Sequence, residues 1–232
     1  ARLLAHAEVV VVDHLVSPGV LALIGAQARR IDAGKQRNHH TLKQHEINAL
    51  LVRLARQGKN VVRLKGGDPF IFGRGGEEVE HLRAQGITVQ VINGITAGLA
   101  GITSLGAPLT HRKHAHGVLF ITGHVRPGDS DTDWRAIAAT ARDARLTLVI
   151  YMGVRGSAHI QEELLTGLPA STPVAVIQHV SLPDQRHALT TLGQLHATIE
   201  RDQLTSPCVI VVGDVVRGVA AARAPEALRR IA

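Results

Sequence analysis

Cysteine, aromatic residues and long apolar runs are all scarce in this chain of 232 residues. Its single cysteine, Cys208, excludes a disulfide within the chain and favours a reducing compartment, so we expect a cytoplasmic protein. Aromatic residues make up 2% of the sequence and leave few rings for stacking nucleic-acid bases. Apolar stretches such as Val9–Val12 are much shorter than a bilayer span. We therefore expect no transmembrane segment and, because the N-terminal region lacks a signal-peptide pattern, no export.

Charge is unevenly balanced, with 26 lysines and arginines against 19 aspartates and glutamates. The resulting net charge of +7 attracts polyanions. Nucleic acid bound by a non-catalytic basic module is one candidate partner, and a small polycarboxylate substrate is another. Because the basic residues are spread along the chain and form no dense run, the pattern favours the small substrate. A solvated basic surface without a partner stays open as a third interpretation.

Strand-like and helix-like segments alternate along the chain, which predicts an α/β fold of two domains with mainly parallel sheets. Strands are predicted at residues 9–13, 30–32, 60–64, 89–92, 118–122, 146–151, 174–178, 188–190 and 208–212. Helices are predicted at residues 18–23, 41–57, 77–85, 97–104, 134–141, 158–166, 194–201 and 219–232. The polar, basic stretch at 110–117 predicts a domain boundary, with one α/β domain at 1–113 and another at 114–232.

The helix that precedes Gly58 has the clearest pattern. Thr41 and Gln44 have the spacing of a capping box, and apolar residues recur at helical intervals from Ile47 to Leu54. Gly58 stands where a C-terminal cap belongs.

Several polar or glycine-containing turns directly follow predicted strands. They are Asp13, residues 65–68, 94–97 and 151–153, and Gly213, with Asp13 and residue 151 forming the last position of their strands. Because ligands of parallel α/β sheets gather at the carboxyl ends of the strands, these turns predict one clustered site.

The turn at residues 64–76 reads LKGGDPFIFGRGG. Its glycines permit positive φ and close approach of the backbone to a ligand. The turn has neither the Lys-Ser/Thr pair of a P-loop nor the glycine spacing of a dinucleotide site. We therefore expect it to hold a ligand other than a phosphate.

The sequence gives little support for a metal site or for a nucleophilic catalytic residue. The histidine groups are His39, His40 and His45, and then His111, His114 and His116. Neither group has an established zinc spacing with thiolates, and Cys208 heads an apolar strand, so we expect no metal site and no cysteine nucleophile.

Six segments together resemble the uroporphyrinogen-III C-methyltransferases of the tetrapyrrole methylase family, a domain that also occurs in siroheme synthase. They read LKGGDPFIFGRGGEE (64–78), NGITAG (93–98), GAPLTHR (106–112), TGH (122–124), IYMG (150–153) and VIVVGDVV (209–216). The resemblance runs from about residue 9 to 216, in the family's order and spacing.

This resemblance implies a two-domain homodimer that binds S-adenosylmethionine in the cleft between its domains. The family enzyme methylates uroporphyrinogen III to precorrin-1 and then precorrin-2, for siroheme or cobalamin synthesis. A tetrapyrrole methyltransferase acting on a later precorrin is the alternative within the family. A homologue that only holds a partner subunit is the non-catalytic one.

The family's cofactor positions fall on Gly66, Gly67, Asp68, Ile71, Thr96, Ala97, Met152 and Val180. Its proton acceptor matches Asp13, and its proton donor matches Lys35. We select Thr110 and Arg112 as contacts for a substrate carboxylate. Read without the resemblance, Asp13 is a strand-end cap, Lys35 an exposed lysine, Asp68 a turn cap and Met152 a core residue.

The chain departs from the family's pattern in three places. Family members open with a strand and a G-x-G-P-G-D-P loop, whereas this sequence starts at Ala1 within the helix that follows, so we expect a fragment of a longer chain. Asn93 stands where the family has proline. Val180 replaces a glycine, which is expected to narrow the adenosine pocket.

Overall fold

The computed structural model describes residues 1–34, 42–125, 128 and 130–221. Two compact units make up the chain, Ala1–Thr96 and Ala97–Ala232, and each is built from helices packed on a sheet. The predicted α/β class is confirmed. The division falls earlier than the domain boundary predicted at residue 113, because the helix that begins at Ala97 packs on the sheet of the second unit.

The first unit contains a parallel three-stranded sheet in the order β2-β1-β3. Its strands are β1 (Val9–Val12), β2 (Arg29–Asp32) and β3 (Val61–Leu64), and its helices are α1 (Arg2–Ala5), α2 (Pro18–Leu21), α3 (Gln44–Arg56) and α4 (Gly75–Ala84). Because β1 lies between the other two strands, its four valines are all buried. Val9 and Val11 pack with α3, whereas Val10 and Val12 pack in the cluster that includes Leu4, as the two-residue period of a strand requires.

Helix α3 begins after Lys43, whose backbone N–H donates to the side chain of Glu46. The predicted capping pair therefore differs from the observed one, and Thr41 lies outside the described residues. Gly58 follows the helix with φ +73°, in the left-handed conformation expected of a C-terminal cap.

The strand predicted at 89–92 is wrong, because this segment pairs with no strand among the described residues. Its alternating apolar residues favour an extended backbone, but a strand also needs a hydrogen-bonded neighbour. Ile87 and Val89 instead pack against the buried cluster of α3.

The second unit contains a five-stranded sheet in the order β4-β5-β8-β6-β7. Its strands are β4 (Gly117–Thr122), β5 (Leu146–Tyr151), β6 (Pro173–Gln178), β7 (Arg186–Thr191) and β8 (Cys208–Val212). Only β4 and β5 pair in parallel, and the other three pairs are antiparallel. This sheet differs from the expectation of mainly parallel strands, because the apolar pattern of a buried strand carries no information on its direction.

Helices cover both faces of this sheet. They are α5 (Ala97–Ser104), α6 (Trp134–Asp143), α7 (Ser157–Leu164), α8 (Leu195–Arg201) and α9 (Arg217–Ala221), with short 3-10 turns at Leu192–Gln194 and Asp214–Val216. Leu148 and Ile150 pack with α6, α7 and α8, whereas Val149 packs on the opposite face with α5. Burial of both faces explains why the central strands read as continuous apolar runs. Of the helix predicted at 219–232, residues 222–232 lie outside the described part.

No helix in the described ranges combines the length and apolarity needed to cross a bilayer.

Candidate functional site

The carboxyl ends of β1 and β3 lie side by side in the first unit, since the two strands are parallel and Val12 pairs with Leu64. Asp13 directly follows β1, and its backbone N–H donates to the carbonyl oxygen of Leu64 over 2.9 Å. Lys65 and Gly66 directly follow β3. The structure thus brings Asp13 and the glycine turn to one edge of the sheet, as the strand pattern predicted.

Close backbone approaches join three turns at this edge. A Cβ atom added to Gly66 would lie 2.1 Å from the carbonyl oxygen of Leu15, and one added to Gly94 would lie 2.0 Å from that of Gly67. Gly67 itself has φ +68°. Glycine is therefore required at these positions by packing and conformation, and the turns after β1, after β3 and around Gly94 are in contact.

Asp68 organises the glycine turn. Its Oδ1 accepts a hydrogen bond from the backbone N–H of Phe70 over 2.8 Å, and its Oδ2 accepts one from Gly94 over 3.1 Å. The Ile71 N–H donates to the carbonyl of Asp68 over 3.3 Å. Asp68 therefore caps the turn and ties it to residue 94, and its contact with a cofactor stays a prediction.

Asp13 belongs to a network of four charged side chains, together with Arg63, Lys65 and Glu78. Asp13 Oδ2 accepts hydrogen bonds from Arg63 Nη2 at 3.3 Å and from Lys65 Nζ at 3.4 Å. The same two cations reach Glu78 Oε1, each at 3.3 Å. Burial raises the pKa of Asp13, but the charges of Arg63 and Lys65 and the backbone N–H of His14 together lower it below its usual range. Asp13 is therefore ionised at neutral pH.

Sequence reasoning missed the roles of Arg63, Lys65 and Glu78. One signal was present, because Gly75, Glu78, Val79 and Leu82 recur at helical spacing and form the buried stripe of α4. A carboxylate within an apolar stripe requires a buried partner, which the sequence alone does not identify.

Two other predicted residues of this unit have no tested role. Thr96 is buried at the end of the first unit, and Lys35 lies outside the described residues.

In the second unit, Met152 and Val180 follow strands that end at the same edge. Tyr151 and Ile177 both pair with Val209, so β5 and β6 run in the same direction on either side of β8. Their ends are two strand spacings apart, about 10 Å. Met152 has φ +56°, and the residue is 46% exposed.

The start of α5 is tied to this edge. The Gly98 N–H donates to the hydroxyl oxygen of Tyr151 over 2.8 Å, which places Ala97 beside the end of β5. A Cβ atom added to Gly101 would lie 3.1 Å from a methyl of Val180. The Val180 side chain thus packs against α5, and its effect on a cofactor pocket stays a prediction.

Thr110 and Arg112 are exposed and lie near the opposite edge of this sheet. Thr147, the second residue of β5, donates to the carbonyl of Leu109 over 2.8 Å, so the segment lies by the amino end of β5. Met152 lies beyond the carboxyl end, roughly 17 Å along the strand. The structure therefore does not bring Thr110 and Arg112 to the Met152 edge, and their contact with substrate stays a prediction.

Gly213 was wrongly expected among the turns of the ligand edge. Its Cβ position lies 3.4 Å from the Cα of Thr147, near the amino end of β5, because β8 is antiparallel to β5.

Within the described ranges, no three His, Cys, Asp or Glu side chains are grouped so that they could hold a metal ion. His39 and His40 lie outside those ranges. Cys208 is buried, its thiol donates to the carbonyl of Thr205, and burial raises the pKa of that thiol to about 11.

Two α/β units with glycine-shaped or left-handed turns at the ends of strands, and without a phosphate-binding pattern, place the chain in the class of α/β proteins with turns gathered at strand ends. Within that class, residues 1–196 match the family model of the Tetrapyrrole (Corrin/Porphyrin) Methylases. The chain belongs to this family, and the predicted resemblance is confirmed.

Curated relatives include siroheme synthases. That of Azotobacter vinelandii is 50% identical over 217 residues, which are 93% of this chain and 46% of the relative. That of Hahella chejuensis is 46% identical over 216 residues, 93% of this chain and 45% of the relative. The chain thus spans about half the length of the curated relatives it matches.

Solved structures with the same fold include the uroporphyrin-III C-methyl transferase of Thermus thermophilus complexed with S-adenyl homocysteine. It is 38% identical, with 94% of this chain and 90% of that chain covered and a TM-score of 0.77. A cobalt precorrin-4 methyltransferase has a TM-score of 0.80 at 22% identity, with 93% of this chain and 87% of that chain covered, and shows the fold alone.

Proposed function

We propose that this chain catalyses S-adenosylmethionine-dependent C-methylation of uroporphyrinogen III to precorrin-2, via precorrin-1. The observation that carries the proposal is the similarity to the Thermus methyltransferase, which is 38% identical over nine-tenths of its length. The siroheme synthase relatives favour siroheme as the end product over cobalamin.

The residues present fit such a cofactor. The ligand contains an adenosyl group, a carboxylate, an amine and a sulfonium but no phosphate. The turn that follows β3 has an exposed glycine, Gly67, and no P-loop pattern. In this proposal the cofactor is held by Gly66, Gly67, Asp68, Ile71, Thr96, Ala97, Met152 and Val180. Asp68 acts mainly by holding the turn against Gly94. A cofactor cleft between the domains stays a prediction.

When bound, S-adenosylmethionine supplies an electrophilic methyl group, which an electron-rich pyrrole carbon takes as the carbon–sulfur bond breaks and its electron pair stays on sulfur. The chain's own chemistry concerns the proton that the methylated ring must then lose. Asp13 is ionised and partly exposed, so its Oδ1 or Oδ2 accepts that proton. Lys35 is the proposed donor. Arginines and lysines bind the acetate and propionate groups of the substrate, with Arg112 and Thr110 as proposed contacts.

The test is incubation of the purified protein with S-adenosylmethionine and uroporphyrinogen III under anaerobic conditions, followed by mass spectrometry. Two added methyl groups are expected, together with calorimetric binding of S-adenosylhomocysteine. No mass gain on this substrate, with methylation of a later precorrin, supports the alternative methyltransferase. Absence of cofactor binding, with salt-sensitive binding to arbitrary oligonucleotides, supports the basic nucleic-acid module instead.

Two further parts of the proposal rest on the family alone. A homodimer is expected by sedimentation of the purified protein, and a cytoplasmic location by cell fractionation.

A further inference from the structure

Glu78 is a deeply buried carboxylate that the proposed reaction does not use. Its side chain is 5% exposed, on the stripe of α4 that faces the rest of the first unit. Burying a carboxylate is strongly unfavourable unless charged or hydrogen-bonding groups surround it. Its contacts therefore indicate what it does.

Three side chains donate to Glu78 Oε1. Lys65 Nζ and Arg63 Nη2 lie 3.3 Å away, and Gln44 Nε2 lies 3.0 Å away. These donors come from β3, the turn that follows it, and α3. Glu78 is thus the point at which three elements of the first unit are joined.

The same two cations also hold Asp13. Arg63 Nη2 lies 3.3 Å from Asp13 Oδ2, and Lys65 Nζ lies 3.4 Å from it. The two carboxylates differ in exposure, because the Asp13 side chain is 36% exposed whereas that of Glu78 is 5% exposed. Asp13 is thus partly open to solvent, whereas Glu78 is enclosed.

We propose that Glu78 is a positioning residue for the reaction: by sharing Lys65 and Arg63 with Asp13, it sets the orientation and the basicity of the Asp13 carboxylate. The inference rests on the proposed function, in which Asp13 accepts a proton. Glu78 balances one of the two positive charges that face Asp13. Without that balance, both cations turn toward Asp13 and make it a weaker base.

The other charged or titratable groups near Asp13 are His14, Arg30 and Asp32. His14 is adjacent in the chain, and its backbone N–H donates to Asp13 Oδ1 over 2.8 Å. Arg30 and Asp32 of β2 line the same small cavity as Asp13, but they neutralise each other in an ion pair of 2.6 Å. Lys65 and Arg63 are therefore the two cations through which Glu78 acts on Asp13.

The experiment compares Glu78→Gln and Glu78→Asp with the unaltered protein. Glu80→Gln is the matched control, since Glu80 is on the exposed side of the same helix and the substitution removes the same charge. For each variant we measure kcat and KM across pH, S-adenosylhomocysteine affinity by calorimetry, and urea unfolding. A crystal structure of Glu78→Gln gives a readout that does not depend on activity.

For Glu78→Gln we expect kcat to fall roughly tenfold or more, with S-adenosylhomocysteine affinity unchanged. The acidic limb of the kcat profile moves to lower pH, and the crystal structure shows Lys65 and Arg63 shifted toward a reoriented Asp13. Glu78→Asp keeps the charge and restores part of kcat. If Glu78→Gln does not fold, a reduced kcat of Glu78→Asp at unchanged cofactor affinity supports the proposal.

The positioning role is overturned if Glu78→Gln folds and has the same kcat and pH profile as Glu80→Gln. It is also overturned if the Asp13 carboxylate has the same position in the crystal structure of Glu78→Gln as in the unaltered protein. A Glu78→Asp variant with unaltered kcat overturns it when Glu78→Gln is not folded. Failure of the unaltered protein to methylate uroporphyrinogen III is a failure of the proposed function. In that case, the variant crystal structure alone decides whether Glu78 positions Asp13.

Discussion

The turns at the carboxyl ends of strands are held in place by different interactions in the two sheets of this chain. In the first unit, Asp13 lies against two cations, and the neighbouring turns are held by backbone contacts that admit only glycine. In the second unit, Met152 lies at the edge of an apolar sheet, where a tyrosine hydroxyl holds the start of α5. The first edge is therefore charged and the second largely apolar, which is the difference on which the proposed roles of the two edges rest.

Opposite pKa shifts at the two edges give the largest expected effect. The thiol of Cys208, at the start of β8, has its pKa raised to about 11 by burial, whereas the net effect on Asp13 is a lowered pKa. We expect a thiol reagent such as dithionitrobenzoate to react with the native protein about a hundredfold more slowly than with the urea-unfolded chain near pH 8. Equal rates in the two states would contradict the apolar character of the second edge.

The lowered pKa of Asp13 makes the stability of the folded protein depend on pH. The folded state favours the ionised form of Asp13, so ionised Asp13 stabilises the folded protein. This stabilisation is complete above the ordinary pKa of aspartate and is lost as the pH falls through the lower pKa that Asp13 has in the folded protein. The Asp13→Asn variant is therefore expected to lose less stability than the unaltered protein on acidification, measured by urea unfolding.

Backbone packing at the first edge predicts the next largest effect. In Gly94→Ala, the added methyl meets the Gly67 carbonyl oxygen, so the free energy of unfolding is expected to fall by about 1–3 kcal/mol. The affinity for S-adenosylhomocysteine, measured by calorimetry, is expected to fall about tenfold, or about 1.4 kcal/mol.

Gly76→Ala is the matched control for this substitution. Gly76 lies in α4 with nothing within 4 Å of its Cβ position. Alanine there is expected to stabilise the helix by about 0.5–1 kcal/mol. A Gly94→Ala variant as stable as this control would mean that the turns around Gly67 and Gly94 are not in contact.

The tyrosine hydroxyl at the second edge predicts the smallest effect. Tyr151→Phe keeps the ring and removes the acceptor for the Gly98 N–H, which is expected to lower the free energy of unfolding by about 0.5–1.5 kcal/mol. The affinity for S-adenosylhomocysteine is expected to fall a few-fold, because Ala97 and Met152 are no longer joined through this bond. If calorimetry and urea unfolding gave the same values as for the unaltered protein, the hydroxyl of Tyr151 would not stabilise this edge.

Much of the secondary structure was predictable because buried strands and amphipathic helices have strong local patterns. Strand β5, strand β8 and helix α5 have the predicted bounds, and the glycine after α3 ends it as expected. The segment at 89–92 failed because pairing, which is not local, decides whether an extended segment is a strand. The prediction that Gly213 lies at the ligand edge was wrong for a related reason, because the direction of β8 is decided by the strands it pairs with.

The candidate site was predictable only in part. The glycine turn and Asp13 were identified from residue types and their places after strands, and the family resemblance supplied Met152 and Val180. The link from Glu78 to Asp13 was not predictable, because it joins residues 65 positions apart in the chain through two side chains of β3 and its turn.

By itself, the sequence determined the α/β class, the family and the positions of the strand-end turns, because each depends on local patterns of apolar residues, glycines and short motifs. The tertiary structure alone decided the direction of β8, the need for glycine at residues 66 and 94, and the shared cations of Asp13 and Glu78. These features depend on distances between segments remote in the chain, and such distances are set by packing.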